Sequence, residues 1–138
     1  MKLEEVDVDS FLERFDNFED GVITGISIVL PRYPNIDSRK VTFEIQARDA
    51  EVSGDWRMVH ISVFGLKDYR IVEDAARYSL LVLSDGLRIC VADDWCLLDL
   101  DPGPGDWSPS NYLEDGEYSR QFAIGNFCNY DVLDGPYI

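Results

Sequence analysis

YSLLVLSDGLRICVADDWCLLDL, residues 78 to 100, holds three short apolar runs separated by turn residues, the layout of a β meander. Tyr78 to Leu83, Leu87 to Ala92 and Trp95 to Leu100 each have strand length. Asp85-Gly86 and Asp93-Asp94 fall where hairpin turns belong, the first being the stronger signal. Two-residue loops set the register. They pair Val82 with Ile89, Leu80 with Val91, Val91 with Cys96 and Ile89 with Leu98 on one apolar face. The other face pairs Leu81 with Cys90, Arg88 with Asp99 and Ala92 with Trp95. Together with Leu83 and Leu97 this second face is too apolar to stand in water as a wide patch. The N-terminal helix, a second sheet or a partner protein is expected to cover it.

Upstream of this meander the same period of two recurs. In Val41 to Ala47, Val41, Phe43, Ile45 and Ala47 share one side while Thr42, Glu44, Gln46 and Arg48 share the other, the pattern of an antiparallel strand with one wet face. Val22 to Leu30 and Trp56 to Phe64 read in the same way, with Pro31 to Asn35 as an irregular loop. Residues 66 to 78 fit two descriptions: a strand at Tyr69 to Val72, and a single helical turn from Glu73 to Tyr78. Beyond a long loop rich in Pro, Gly, Asp and Ser, from Asp101 to Glu117, Tyr118 to Ile124 and Phe127 to Leu133 give two more strands. Near the start the period changes to 3.6. Phe11, Phe15 and Phe18 fall at i, i+4 and i+7, Ser10 to Glu13 has the form of a capping box, and Gly21 is the expected stop. The fold expected is one mainly β (or α+β) domain over residues 1 to 138. About eight mostly antiparallel strands form a sandwich or strongly curved sheet, with a short N-terminal helix packed on it.

The chain is rich enough in apolar residues, at 46%, to exclude disorder. It has no apolar run of membrane-spanning length and no signal-like start, so a cytoplasmic setting is expected. The three cysteines, Cys90, Cys96 and Cys128, are odd in number and unpaired in spacing, and are expected as buried thiols in a reducing compartment. The net charge of -15 is unevenly spread. Residues 1 to 20 hold eight acids and two bases, residues 21 to 92 nine of each, and residues 93 to 138 ten acids and one base. A neutral middle between acidic ends predicts a negative surface if those ends meet in the fold. Binding to a nucleic-acid backbone is disfavoured, since it requires clustered Lys and Arg.

Motifs for chemistry are scarce. Asp99, Asp101 and Asp106 beside Gly103 and Gly105 suggest a calcium loop, but counting from Asp99 the positions that need Gly and Glu hold Pro104 and Ser110. Close acid pairs such as Asp93-Asp94 and Glu114-Asp115 are expected by chance in so acidic a chain. His60, the single histidine, alternates with Met58 and Ser62 on a strand and reads as a partly buried strand residue rather than a metal ligand. No nucleophile motif and no phosphate-binding glycine loop is present in the sequence. Neither an enzyme nor a cofactor is expected.

The remaining signal is the acidic surface. Carboxylates on a rigid β scaffold attract a basic partner and raise its association rate, and aromatic side chains among them supply anchors. The residues expected to bind the partner are Asp93, Asp94, Trp95, Asp99, Asp101, Asp106, Trp107, Tyr112, Glu114, Asp115 and Glu117, helped by the N-terminal acids. Phe15-Asp16-Asn17-Phe18-Glu19-Asp20-Gly21-Val22-Ile23, Phe64-Gly65-Leu66 with Tyr69-Arg70, and Ser119-Arg120-Gln121-Phe122-Ala123-Ile124 resemble small bacterial immunity proteins of polymorphic toxin and contact-dependent inhibition systems, and similar uncharacterised bacterial proteins. That resemblance implies a β-rich fold and a non-catalytic role, binding and blocking a cognate toxin domain, a basic protein partner, with no shared catalytic residues to carry over. Neither nucleic acid nor membrane is expected as a partner. The alternatives are a small-ligand-binding β protein, a phage-type nucleic-acid-mimicking inhibitor and a calcium-binding module.

Overall fold

In the computed structural model, residues 1–72, 82–83, 85–102 and 121–133 are described. They form strands β1 (Gly21–Val29), β2 (Lys40–Asp49), β3 (Asp55–Phe64), β4 (Asp68–Ile71), β5 (Val82–Leu83), β6 (Arg88–Ala92), β7 (Trp95–Asp99), β8 (Gln121–Gly125) and β9 (Phe127–Leu133), preceded by one short helix, α1 (Val8–Arg14). Two antiparallel sheets result. The first has the order β5-β1-β2-β3-β9 and the second β4-β8-β7-β6. Alternation places Val41, Phe43, Ile45 and Ala47 of β2 and Val59, Ile61 and Val63 of β3 on the inner face, all essentially without solvent contact. Ile89, Cys96, Leu98 and Ala123 from the second sheet join the same apolar cluster, which makes the fold a two-layer sandwich.

The hairpin of β6 and β7 has the expected register throughout. Ala92 faces Trp95, Val91 faces Cys96, Ile89 faces Leu98 and Arg88 faces Asp99 across the Asp93-Asp94 turn. The Asp85-Gly86 hairpin does not form. Val82 pairs with Val22 and Leu83 with Gly21, so β5 belongs to the first sheet, and the turn carries the chain from one layer to the other. Pairing with β1 supplies strand partners as good as those of a local hairpin. The stronger turn motif thus serves as a crossover and the weaker one as the hairpin. Tyr69-Arg70-Ile71 is a strand, β4, paired with β8. The helical turn expected at 73–78 and the expected pairings of Leu80 and Leu81 lie outside the described residues.

The N-terminal helix is capped three residues before the expected position. Asp7 occupies the cap position without a side-chain cap hydrogen bond, and Ser10 lies inside α1 with its Oγ donating to the Asp7 carbonyl at 3.0 Å. The phenylalanine stripe is buried as expected, with ring centroids 5.1 to 5.5 Å apart. It reaches that arrangement by a different backbone, because α1 stops at Arg14. Asp16, Asn17 and Phe18 follow with φ of 55°, 54° and 59°, a left-handed turn that costs about 1–2 kcal/mol per non-glycine residue. Burial of the Phe15 and Phe18 rings offsets that cost. The stripe packs into the main core, with Phe11 4.5 Å from the Tyr130 ring, and does not cover the second face of the meander. That face forms a separate cluster of Leu97, Phe122 and Ile124, with Cys90 and Trp95 against it.

Two contacts hold this turn and helix to the sheets. The Asn17 carbonyl accepts the Leu87 N–H at 3.0 Å, and a Cβ on Gly86, whose φ is +77°, would sit 2.3 Å from the same oxygen. Arg14 Nε and Nη2 each donate to the Asp49 carboxylate at 2.9 Å, and Arg14 Nη2 also lies 3.0 Å from Glu51. Asp49 is fully buried at the end of the inner face of β2. The Arg14 hydrogen bonds hold its carboxyl below the usual carboxylate range against the opposing effect of burial.

Removing Arg14 leaves a buried carboxylate without its cation, so Arg14→Leu is expected to cost about 3 kcal/mol in chemical denaturation. The wild-type pair contributes in full above the ordinary carboxyl pKa of about 3.9 and loses its contribution as the pH falls from there through the lowered native value. The acid limb of the stability profile should accordingly flatten in the variant. Gly86→Ala, which meets both the positive φ and the Asn17 oxygen, is expected to lower stability by about 1–3 kcal/mol in the same measurement.

Candidate partner-binding cleft

The first residues of the chain run beside β9, with the Leu3 N–H donating to the Cys128 carbonyl at 2.8 Å. A 3-10 turn at Glu5–Asp7 then leads into α1, and the buried side chain of Val8 seats this junction against the core. Val8 lies at i−3 to Phe11, so burying one orients the other. The consequence is a fixed position for Glu5 and Asp9. Both stand exposed at one wall of a cleft of about 510 Å³, lined there by Glu5, Val8 and Asp9 and on the other wall by Ile89, Cys90, Val91, Ala92 and Trp95. The floor is aliphatic and aromatic, and the rim is anionic.

Asp93 and Asp94, in the turn that follows Ala92, are both exposed. Trp95 is half-buried, lining the cleft and packing on the Leu97 cluster. Asp99 is in a different environment. It is fully buried between Arg88 and Phe122 in the strand register, and its Oδ1 accepts the Asp101 N–H at 2.9 Å. A carboxylate spent on holding its own loop presents no charge to a partner, so Asp99 drops out of the binding surface. Asp101 is half-buried beside it. Asp106, Trp107, Tyr112, Glu114, Asp115 and Glu117 lie outside the described residues. Among the described residues no cluster of three or more His, Cys, Asp or Glu groups is placed to hold a metal ion.

The acidic head and the β6–β7 hairpin are therefore neighbours. Lys2 meets Glu4 at 3.8 Å and Arg14 is committed to Asp49 and Glu51, whereas Glu5 and Asp9 face the cleft. Glu5 and Asp9 are named in the sequence reading only collectively, as N-terminal acids, and Val8 is not named at all. Their signal is the extension of the phenylalanine stripe back by one turn to Val8, which fixes the face on which Glu5 and Asp9 emerge. His60, on the outer face of the first sheet, has Nε2 3.6 Å from Glu44 Oε1 and does not line this cleft, whose strand wall belongs to the other sheet.

The cysteines differ in reach. Cys96 and Cys128 are buried and Cys90 is half-buried in the cleft wall. Burial pushes the Cys96 thiol up to about 11 and raises Cys128 further, while Cys90 is raised less, again by burial. Native iodoacetamide labelling near pH 8, read by mass spectrometry, is expected to modify Cys90 first. Cys96 and Cys128 should react only after unfolding. No family model, no curated protein and no solved structure matches this chain.

Proposed function

We propose that this chain is a non-catalytic acidic binding protein of the immunity type, which binds and neutralises a basic toxin or nuclease domain. The observation that supports this reading is an apolar cleft with Glu5 and Asp9 on one wall and, on the other, Ala92 and Trp95, the residues that flank the exposed Asp93-Asp94 turn. Anionic groups around a desolvated anchor site attract a cationic surface, speed its capture and let aromatic or aliphatic contacts hold it. Carboxylates set against the Lys and Arg side chains with which a nuclease holds phosphates would occupy those side chains in place of substrate. The cytoplasm is the setting this role requires. Among the described residues no helix is long and apolar enough to cross a membrane.

A second reading, a small-ligand-binding β protein, draws on the cleft volume, which falls in the range of small-molecule sites. The test is a calorimetric titration of the full chain with basic toxin and nuclease domains encoded in the same genome, at low and high salt. A complex whose Kd weakens by about tenfold or more between about 50 and 500 mM NaCl is expected, because exposed charges are screened over that range. Absence of a complex, or an affinity indifferent to salt, would overturn the proposal.

A further inference from the structure

The cleft touches four successive residues of β6, Ile89 to Ala92. Successive residues of a strand point to opposite faces, so a cleft that touches all four runs along the strand's edge and not over one face. Among the described residues β6 is the last strand of its sheet, with β7 on one side only. In a two-residue hairpin the pair next to the turn, here Ala92 and Trp95, is the hydrogen-bonded kind, and the kinds alternate along the ladder. Cys90 and Ala92 therefore bond to β7, while Val91 directs its N–H and C=O the other way, toward the cleft.

An edge with main-chain donors and acceptors turned outward is a template for another strand. Ile89 is almost fully buried, whereas Val91 is half-buried and Ala92 exposed, so the accessible part of the edge is the half nearest the turn. Glu5 and Asp9 line the same cleft as this edge, and Asp93 and Asp94 follow Ala92 in the turn. Charge complementarity selects a cationic occupant. Resting on the acidic-surface reading of the function, we infer that the cleft takes an extended basic segment of the partner, which adds to β6 at Val91 through main-chain hydrogen bonds and sets alternate Lys or Arg side chains against Glu5 and Asp9. The intervening apolar side chains of that segment point to the other face of the sheet and pack on Trp95.

The test uses a fluorescein-labelled peptide of alternating Lys and Val, titrated against the full chain by fluorescence anisotropy. A second peptide of the same sequence carries N-methyl groups on alternate amides, in both frames. Binding of the plain peptide, weakened about tenfold or more by N-methylation in one frame, is expected, since each methyl removes a main-chain donor while leaving every charge in place. The Glu5→Gln, Asp9→Asn double variant should weaken binding by a similar factor, and slower hydrogen exchange at the Val91 amide in the presence of peptide reports the edge contact without any substitution. Equal binding of plain and methylated peptides, or an unchanged Val91 amide, overturns strand addition. Equal binding to the double variant overturns the assignment to this cleft. Failure of the plain peptide to bind while a basic toxin or nuclease domain binds in a salt-dependent way also overturns strand addition and leaves the acidic-surface reading standing. Failure of both removes that reading as well.

Discussion

The pairing of Arg14 with Asp49 is the constraint from which the rest of the molecule's working surface follows. Asp49 ends the inner face of β2 in a place without solvent, and a carboxylate there has to be matched by a cation carried on another element. That cation sits on the last turn of α1, so the pair sets where the helix ends, and the phenylalanine side chains set how it is rotated. With end and rotation fixed, Asp9 and Glu5 emerge five and nine residues earlier, beside β6. A helix held by apolar contacts alone could slide along the sheet. A bidentate ion pair at one end removes that freedom, because guanidinium and carboxylate match in only a few geometries.

Legibility of the fold in the sequence followed the range of the interactions concerned. The alternation in β2 and β3, the register of the β6–β7 hairpin and the burial of Phe11, Phe15 and Phe18 are all consequences of short-range periodicity, and each appears where the periodicity placed it save at Gln46, which is buried on the face read as wet. The Asp85-Gly86 turn misled for the complementary reason. A turn motif states that the chain reverses or bends, not which strand its arms will pair with, and β1 won the competition for Val82 and Leu83. The capping box misled similarly, since Ser10 and Glu13 have cap-forming chemistry but the buried Val8 pulls the helix start upstream. Nothing in the sequence indicated three left-handed residues at Asp16, Asn17 and Phe18, a conformation that only the tertiary setting makes tolerable.

The candidate site shows the same division. Exposure of Asp93 and Asp94 follows from their place in a turn, and was readable. The withdrawal of Asp99 into the interior was not, although its pairing with Arg88 was foreseen, because burial of the outer face of the second sheet depends on layers the local pattern does not specify. The participation of Glu5 and Asp9 depended on a contact between the first element of the chain and a strand some eighty residues later, information that no window of sequence contains. The uneven charge pointed to a negative surface if the ends converge; of the acidic tail, Asp93, Asp94, Asp99, Asp101 and Asp131 lie among the described residues.

Gly86 has a further implication. At the point where the chain passes from one layer to the other, a missing side chain lets the backbone lie against the Asn17 carbonyl, and the Leu87 amide is tethered to that same oxygen. The two layers are thus joined through the Asp16–Phe18 turn, some seventy residues earlier in the chain. Closing so long a loop costs conformational entropy that the contact must offset, which gives a single achiral residue a part in holding the layers together.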